Sequence, residues 1–141
     1  MIIVVGVDDT DRSRVAARKA CRLGVMLDAE VHAVFVTHVP AAMLAALAGA
    51  PSAADDFAEA HRKAVWEEIR PVLDASGASI RTIDLEGYPA DTIIDYAEEV
   101  GAGLIVIGSR GRGDLASLVL GSTSHRIVNH ARCDVLIAKG D

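Results

Sequence analysis

Residues 104–113 read LIVIGSRGRG, an apolar run that passes directly into a stretch rich in glycine. An uninterrupted apolar run of this kind is typical of a strand buried on both faces of a parallel sheet. The glycines Gly108, Gly111 and Gly113 let the backbone turn and approach a ligand closely. The stretch therefore predicts a strand that ends in a ligand-binding loop.

Segments of alternating character extend outward from this strand in both directions. Strands are predicted at residues 1–7, 30–36, 79–85, 104–107 and 135–138. Helices are predicted at residues 12–27, from Asp55 or Asp56 to Asp74, after Tyr88, and at 115–131. This alternation predicts one α/β domain over residues 1–141, with an open five-stranded parallel sheet and helices on both faces.

The composition narrows the class of protein. Hydrophobic residues make up 51% of the chain, which is enough for a packed core. The formal net charge of −6 opposes binding to nucleic acid or to an anionic membrane surface. The chain opens directly on a strand pattern, without the features of a signal peptide, and its apolar runs are far shorter than a membrane span of ~20 residues. We therefore expect a cytoplasmic protein without a nucleic-acid or membrane partner.

The glycine-rich loop and the segment after it carry groups suited to phosphate. Backbone amides at glycines and at a helix N-terminus bind anions. Arg110 and Arg112 add positive charge, and Ser122 and Thr123 follow Gly121 with hydroxyl donors. An alternative is that the glycines only make tight turns. Their density favours a phosphate site.

Two familiar nucleotide loops do not fit. Gly108 and Gly113 have the glycine spacing of a P-loop, but Asp114 stands where that loop has lysine. The dinucleotide fingerprint belongs after the first strand, whereas the glycines here follow the fourth. We therefore expect neither P-loop chemistry nor binding of NAD.

The chain resembles the universal stress protein family. The nucleotide motif of that family is Gly, two residues, Gly, nine residues, Gly and then Ser or Thr, and Gly108, Gly111, Gly121 and Ser122 stand at that spacing. The opening Val5–Thr10 and the turn Leu85–Ala90 are also similar to family segments. The resemblance covers essentially the whole chain.

The resemblance implies a fold and a place for the ligand. The fold is that of the adenine nucleotide alpha-hydrolase-like proteins, with strand order 3-2-1-4-5. Ligands of such sheets bind at the carboxyl ends of the strands where the strand order reverses. Asp8 and Gly108 end the two strands at that point.

The resemblance also implies roles for individual residues. Asp8 would meet the adenosine part, and Val36 would line the adenine pocket. Gly108 and Gly111 would cradle the ribose and phosphates. Gly121, Ser122 and Thr123 would hold the outer phosphates. The implied ligand is ATP, with or without Mg²⁺, and AMP or another adenine nucleotide is an alternative. The implied binding residues are Gly6, Val7, Asp8, Val36, Ile107, Gly108, Ser109, Arg110, Gly111, Arg112, Gly121, Ser122, Thr123 and Ser124.

Two positions depart from the family pattern. Asp9 and Thr10 replace the usual Gly-Ser, and the added carboxylate of Asp9 either weakens binding of a triphosphate or favours a bridging Mg²⁺. Asp134 replaces the usual Pro before the last strand. The family commonly forms a homodimer through that strand, here Val135–Ala138, and an aspartate at a sheet edge discourages pairing.

The sequence leaves three functions open. The first is an ATP-binding regulatory module of the stress response, with at most slow hydrolysis, since no general base is evident. The second is a Mg²⁺-dependent phosphohydrolase that uses Asp8, Asp9 and Asp11, although Asp11 also suits the role of a helix cap. The third is a nucleotide-free dimeric scaffold. His125 and His130 lack the spacing of a helical metal site, so no metal ligands are predicted beyond Asp9 through Mg²⁺-ATP.

Overall fold

The computed structural model describes residues 1–109 and 120–140. Five strands alternate with helices along these ranges. The strands are β1 (Ile2–Val7), β2 (Glu30–Thr37), β3 (Ile80–Glu86), β4 (Leu104–Gly108) and β5 (Asp134–Ala138). The helices are α1 (Asp11–Leu27), α2 (Ala41–Ala46), α3 (Pro51–Asp74), α4 (Pro89–Glu99) and α5 (Ser122–His130).

The strands form one sheet in the order β3-β2-β1-β4-β5, and every neighbouring pair is parallel. β1 is central and pairs on one side with β2, where Ile2 lies opposite Glu30, and on the other with β4, where Ile3 lies opposite Leu104. The predicted fold class and strand order are thus confirmed.

Each face of the sheet carries its own hydrophobic core. On one face α1 and α3 pack through residues such as Ala17, Cys21 and Trp66. On the other face Ile93 and Ile127, from α4 and α5, pack against the strands. The inner strands β1, β2 and β4 are buried on both sides, which explains their largely apolar sequence.

Several helix ends differ from those predicted. Thr10, and not Asp11, caps α1, because the Thr10 side chain accepts a hydrogen bond from the amide of Ser13. α3 begins at Pro51, where a proline at the first helical position needs no amide hydrogen. It also continues through Pro71, three residues before its end.

The last predicted helix is shorter in the structure. α5 begins at Ser122, and neither Leu120 nor Gly121 is helical, while residues 115–119 lie outside the described ranges. Gly121 is the capping residue, with φ −62° and ψ 164°. A short helix, α2, lies in the Ala-rich segment between β2 and α3. Of the helices described, none combines the length and the apolar character needed to cross a membrane.

Candidate functional site

A cleft of about 350 Å³ opens at the carboxyl ends of the central strands, where β1 and β4 are followed by helices, α1 and α5, that pack on opposite faces of the sheet. Its volume lies within the range of ligand-binding pockets. The cleft brings together every predicted binding residue that the structure describes. These are Gly6, Val7, Asp8, Val36, Ile107, Gly108, Ser109, Gly121, Ser122, Thr123 and Ser124.

The remaining predicted residues, Arg110, Gly111 and Arg112, lie outside the described residues. The cleft also contains residues that the sequence did not single out as binding residues, and these are Thr10, Ser13, Phe35, Pro89 and Ile93. Pro89 and Ile93 carried a signal, since both lie in the helix that was predicted to follow Tyr88. Thr10 and Ser13 reach the cleft through the local turn after Asp8, whereas Phe35 reaches it through tertiary packing.

The two ends of the cleft differ in chemistry. Over β2 and α4 the lining is apolar, with Val36, Pro89 and Ile93. Toward α5 and the β1–α1 turn it is polar, and Ser122 and Thr123 place hydroxyls beside the start of α5. An elongated ligand with one apolar end and one anionic end suits this arrangement, because the first amides of a helix lack acceptors within the helix.

The β1–α1 turn holds Asp8 in a fixed orientation. Carboxylate oxygen Oδ1 of Asp8 accepts hydrogen bonds from the Thr10 amide at 2.9 Å and from the Thr10 hydroxyl at 2.6 Å. The Asp8 amide donates to the Ser13 hydroxyl at 2.8 Å. The turn thus occupies one carboxylate oxygen of Asp8, and the second oxygen has no such partner within the turn. Asp8 is the one charged side chain among the described residues of the cleft.

Hydrogen bonds also fix the opposite wall. The Ser124 hydroxyl, which is buried, donates to the carbonyl of Gly108 at 3.0 Å and so ties α5 to the end of β4. The Ser109 amide donates to the carbonyl of Ala138 at 3.0 Å. The amide of Ser109 and the hydroxyl proton of Ser124 are therefore engaged within the protein, whereas Ser122 and Thr123 keep hydroxyls at the cleft.

Close packing requires a glycine at position 108, and the sequence did not reveal this requirement. A Cβ atom built at this position would lie 2.8 Å from Cβ of Arg12 and 2.9 Å from its carbonyl oxygen. These atoms belong to the first turn of α1, so a side chain at Gly108 would push that helix away. The glycine lets α1 approach the end of β4 and thereby shapes the cleft.

The three aspartates that follow β1 point to separate partners. Asp8 bonds Thr10, as described above. Oδ2 of Asp9 lies 3.5 Å from Nε2 of His61 on α3, and Asp11 pairs with Arg14. The three carboxylates therefore do not converge on one point as the ligands of a shared Mg²⁺ would. In residues 1–109 and 120–140, no three His, Cys, Asp or Glu side chains form a group that could hold a metal ion.

Known proteins with a similar sequence and fold belong to one family. A family model described as the universal stress protein family matches residues 1–139. Universal stress protein YxiE of Bacillus subtilis is 31% identical over 144 residues, covering 97% of each chain. The structure of universal stress protein UspA from Lactobacillus plantarum superposes with a TM-score of 0.79 at 28% identity, covering 98% of this chain and 97% of that one.

A third relative was solved with a ligand. It is a universal stress protein in complex with cAMP, 26% identical to this chain, with a TM-score of 0.72. The match covers 99% of this chain and 96% of that one.

Proposed function

The chain belongs to the universal stress protein family, and from this premise we propose that its cleft binds an adenine nucleotide. The base lies at the apolar end over β2 and α4, and the phosphates lie at the start of α5. Asp8 accepts hydrogen bonds from the ribose hydroxyls through its second carboxylate oxygen. Gly121, Ser122 and Thr123 hold the outer phosphates.

One observation carries this proposal. A single cleft joins an apolar pocket to a helix N-terminus whose cap, Gly121, is a residue without a side chain. An uncapped first turn leaves amide donors for an anion, and the helix dipole favours negative charge there. The hydroxyls of Ser122 and Thr123 add donors beside those amides. A nucleotide has the matching order of base, sugar and phosphate.

The solved relatives support the class of ligand. The relative in complex with cAMP is an adenine-nucleotide complex of the same fold. We propose ATP as the ligand of this chain and Mg²⁺ as its counterion, with AMP and cyclic AMP as competitors. Because the Asp9 carboxylate faces His61, we assign the ion to the phosphates and not to Asp9. Arg110, Gly111 and Arg112 remain predicted phosphate contacts.

The wider role follows from the family. We propose a nucleotide-dependent regulatory module of the stress response that works in the cytoplasm and forms a homodimer. The dimer would use β5, an edge strand whose Val135, Leu136 and Ile137 are half-buried while Asp134 is exposed. Sedimentation of the wild type and of Asp134→Pro would test whether this aspartate weakens pairing at the edge.

The first experiment asks for bound nucleotide directly. The protein is purified without added nucleotide and denatured, and the supernatant is separated by chromatography. We expect ATP in the supernatant, and calorimetric titration of nucleotide-free protein then ranks ATP, AMP and cyclic AMP. If titration to millimolar ATP gave no heat of binding and no rise in the melting temperature, the nucleotide-free dimeric scaffold would be the better proposal.

The second experiment blocks the phosphate end. Gly121→Val adds a branched side chain beside the phosphates, and the φ and ψ of Gly121 are accessible to valine. We expect loss of ATP binding with the fold retained. Gly49→Val is the matched control, because a Cβ at Gly49 meets no atom within 4 Å. Normal ATP binding by Gly121→Val would contradict the phosphate position.

Turnover separates the binding module from the enzyme alternative. We expect at most slow ATP hydrolysis, and Asp9→Asn should leave that rate unchanged because the Asp9 carboxylate faces His61. Rapid steady turnover that disappears in Asp9→Asn would favour the phosphohydrolase.

A further inference from the structure

An exposed pair of aromatic rings stands beside the apolar end of the cleft. The rings of His38 and Tyr88 have centroids 5.1 Å apart and planes inclined by 39°. Tyr88 is 71% exposed, which is a large exposure for an aromatic side chain on a small domain. His38 is exposed as well. Neither ring contributes to the hydrophobic cores, so packing does not explain the pair.

The backbone places this pair directly next to residues of the cleft. Val36, which lines the cleft, lies two positions before His38, and Pro89, which also lines it, follows Tyr88. The amide of Gly87 donates to the carbonyl of Thr37 at 3.0 Å and so joins the end of β2 to the turn before α4. The pair therefore lies at the rim of the cleft, beside its apolar lining from β2 and α4.

The turn that presents Tyr88 is itself constrained. Gly87 has φ +138°, a conformation that side chains rarely adopt, and a Cβ there would lie 2.6 Å from the hydroxyl oxygen of Thr92. Pro89 then restricts the backbone of Tyr88 on the other side, since a residue before proline is held in extended conformation. Tyr88 has φ −76° and ψ 122°, as this restriction requires. The exposed ring is thus held on a rigid turn.

We propose that His38 and Tyr88 form an aromatic rim that stacks on the base of the bound nucleotide. The inference rests on the proposed function and adds two residues that recognise the base. The apolar lining from Val36 and Ile93 covers the inner side of the base, and the ring pair covers the part that projects from the cleft. Because the pair lies at the base end, it acts on the base and not on the phosphates.

The test compares ligands with and without a base. Tyr88→Ala and His38→Ala are titrated with ATP and with inorganic tripolyphosphate. Stacking of a base on an aromatic ring predicts an increase of about tenfold in the Kd for ATP in Tyr88→Ala. The Kd for tripolyphosphate should stay unchanged, and Tyr88→Phe, which keeps the ring, should restore binding of ATP. Phe57→Ala is the control, because it removes an exposed ring from α3, where the cleft has no lining residue.

A spectroscopic arm detects the contact itself. In Tyr88→Trp, ATP should quench the added indole fluorescence, while tripolyphosphate at saturation should not. Wild-type affinity for ATP in both alanine variants, or an indole signal that ATP leaves unchanged, would overturn the aromatic rim while the nucleotide site stands. If the wild-type protein bound no ATP, both the proposed function and the aromatic rim would be contradicted.

Discussion

The amino ends and the carboxyl ends of the parallel strands, here called the amino edge and the carboxyl edge of the sheet, hold their polar groups in opposite ways. At the amino edge, His32 is only 4% exposed, and its ring nitrogens lie 2.8 Å from the Tyr96 hydroxyl and 3.1 Å from a carboxylate oxygen of Glu30. Arg81 pairs with the same carboxylate. At the carboxyl edge, the hydroxyls and amides at the start of α5 face an open cleft.

The difference separates stability from binding. A buried polar group that finds all its partners within the protein fixes the structure, whereas donors that face a cleft are available to a ligand. Substitutions at the amino edge should therefore change the free energy of unfolding and leave nucleotide affinity alone. Substitutions at the carboxyl edge should change affinity, and Gly108 is the position where both effects meet.

The largest effect on stability is expected at Gly108. Gly108→Ala places a Cβ against the backbone of Arg12, and overpacking of this kind lowers the free energy of unfolding by about 2 kcal/mol. Urea denaturation measures the loss, and Gly49→Ala is the control in open space. ATP affinity should fall as well, because α1 carries part of the turn that holds Asp8. Full stability in Gly108→Ala would show that α1 can move at no cost.

A smaller loss is expected at the amino edge. His32→Leu removes one partner from the Tyr96 hydroxyl and one from Glu30, and unpaired polar groups lower the free energy of unfolding by about 1–2 kcal/mol. The double variant His32→Leu/Tyr96→Phe removes both partners of one bond and should recover part of this loss. The Kd for ATP should not change. A Kd that rises in His32→Leu would mean that the two edges are coupled.

The smallest effect is a change in the pH dependence of stability. The hydrogen bond from His32, with the nearby charge of Arg81, lowers the pKa of Glu30 below its ordinary value of 4.5. The ionised carboxylate therefore stabilises the fold above that ordinary value, and the contribution is lost as pH falls through the lowered pKa. Glu30→Gln should be slightly less stable than wild type at pH 7 and equal to it once the acid has protonated Glu30. Thermal unfolding of both proteins between pH 7 and pH 3 measures this difference in stability. A difference that stays the same across this range would contradict the prediction.

The fold could be predicted from the sequence because its signals are local. Continuous apolar runs and intervening helical patterns define the elements, and the strand order followed from the family resemblance carried by Gly108, Gly111, Gly121 and Ser122. The predicted start of α3 at Asp55 or Asp56 was wrong because Pro51 also begins a helix. Capping preferences identify candidates for a helix start, and more than one candidate stood in that segment.

The site could be predicted only in part. The predicted residues that the structure describes, among them Gly108 and Gly121, lie together along the cleft, because carboxyl ends of parallel strands meet at one edge. The hydrogen bonds from Thr10 to the Asp8 carboxylate form within one local turn, but no motif pointed to them, and the contact of Phe35 with the cleft depends on the packed structure. The close approach of Arg12 to Gly108 joins residues far apart in sequence, and no local pattern encodes it.

The central position of β1 has a consequence for the order of events during synthesis. β1 and β2 leave the ribosome early and can pair at once, but the other edge of β1 waits for β4, where Ile3 meets Leu104. Until then an apolar strand presents unpaired amides and carbonyls, which is a template for aggregation. A nascent chain that stalls before β4 should therefore need a chaperone, and release of that chaperone should coincide with the first appearance of the cleft.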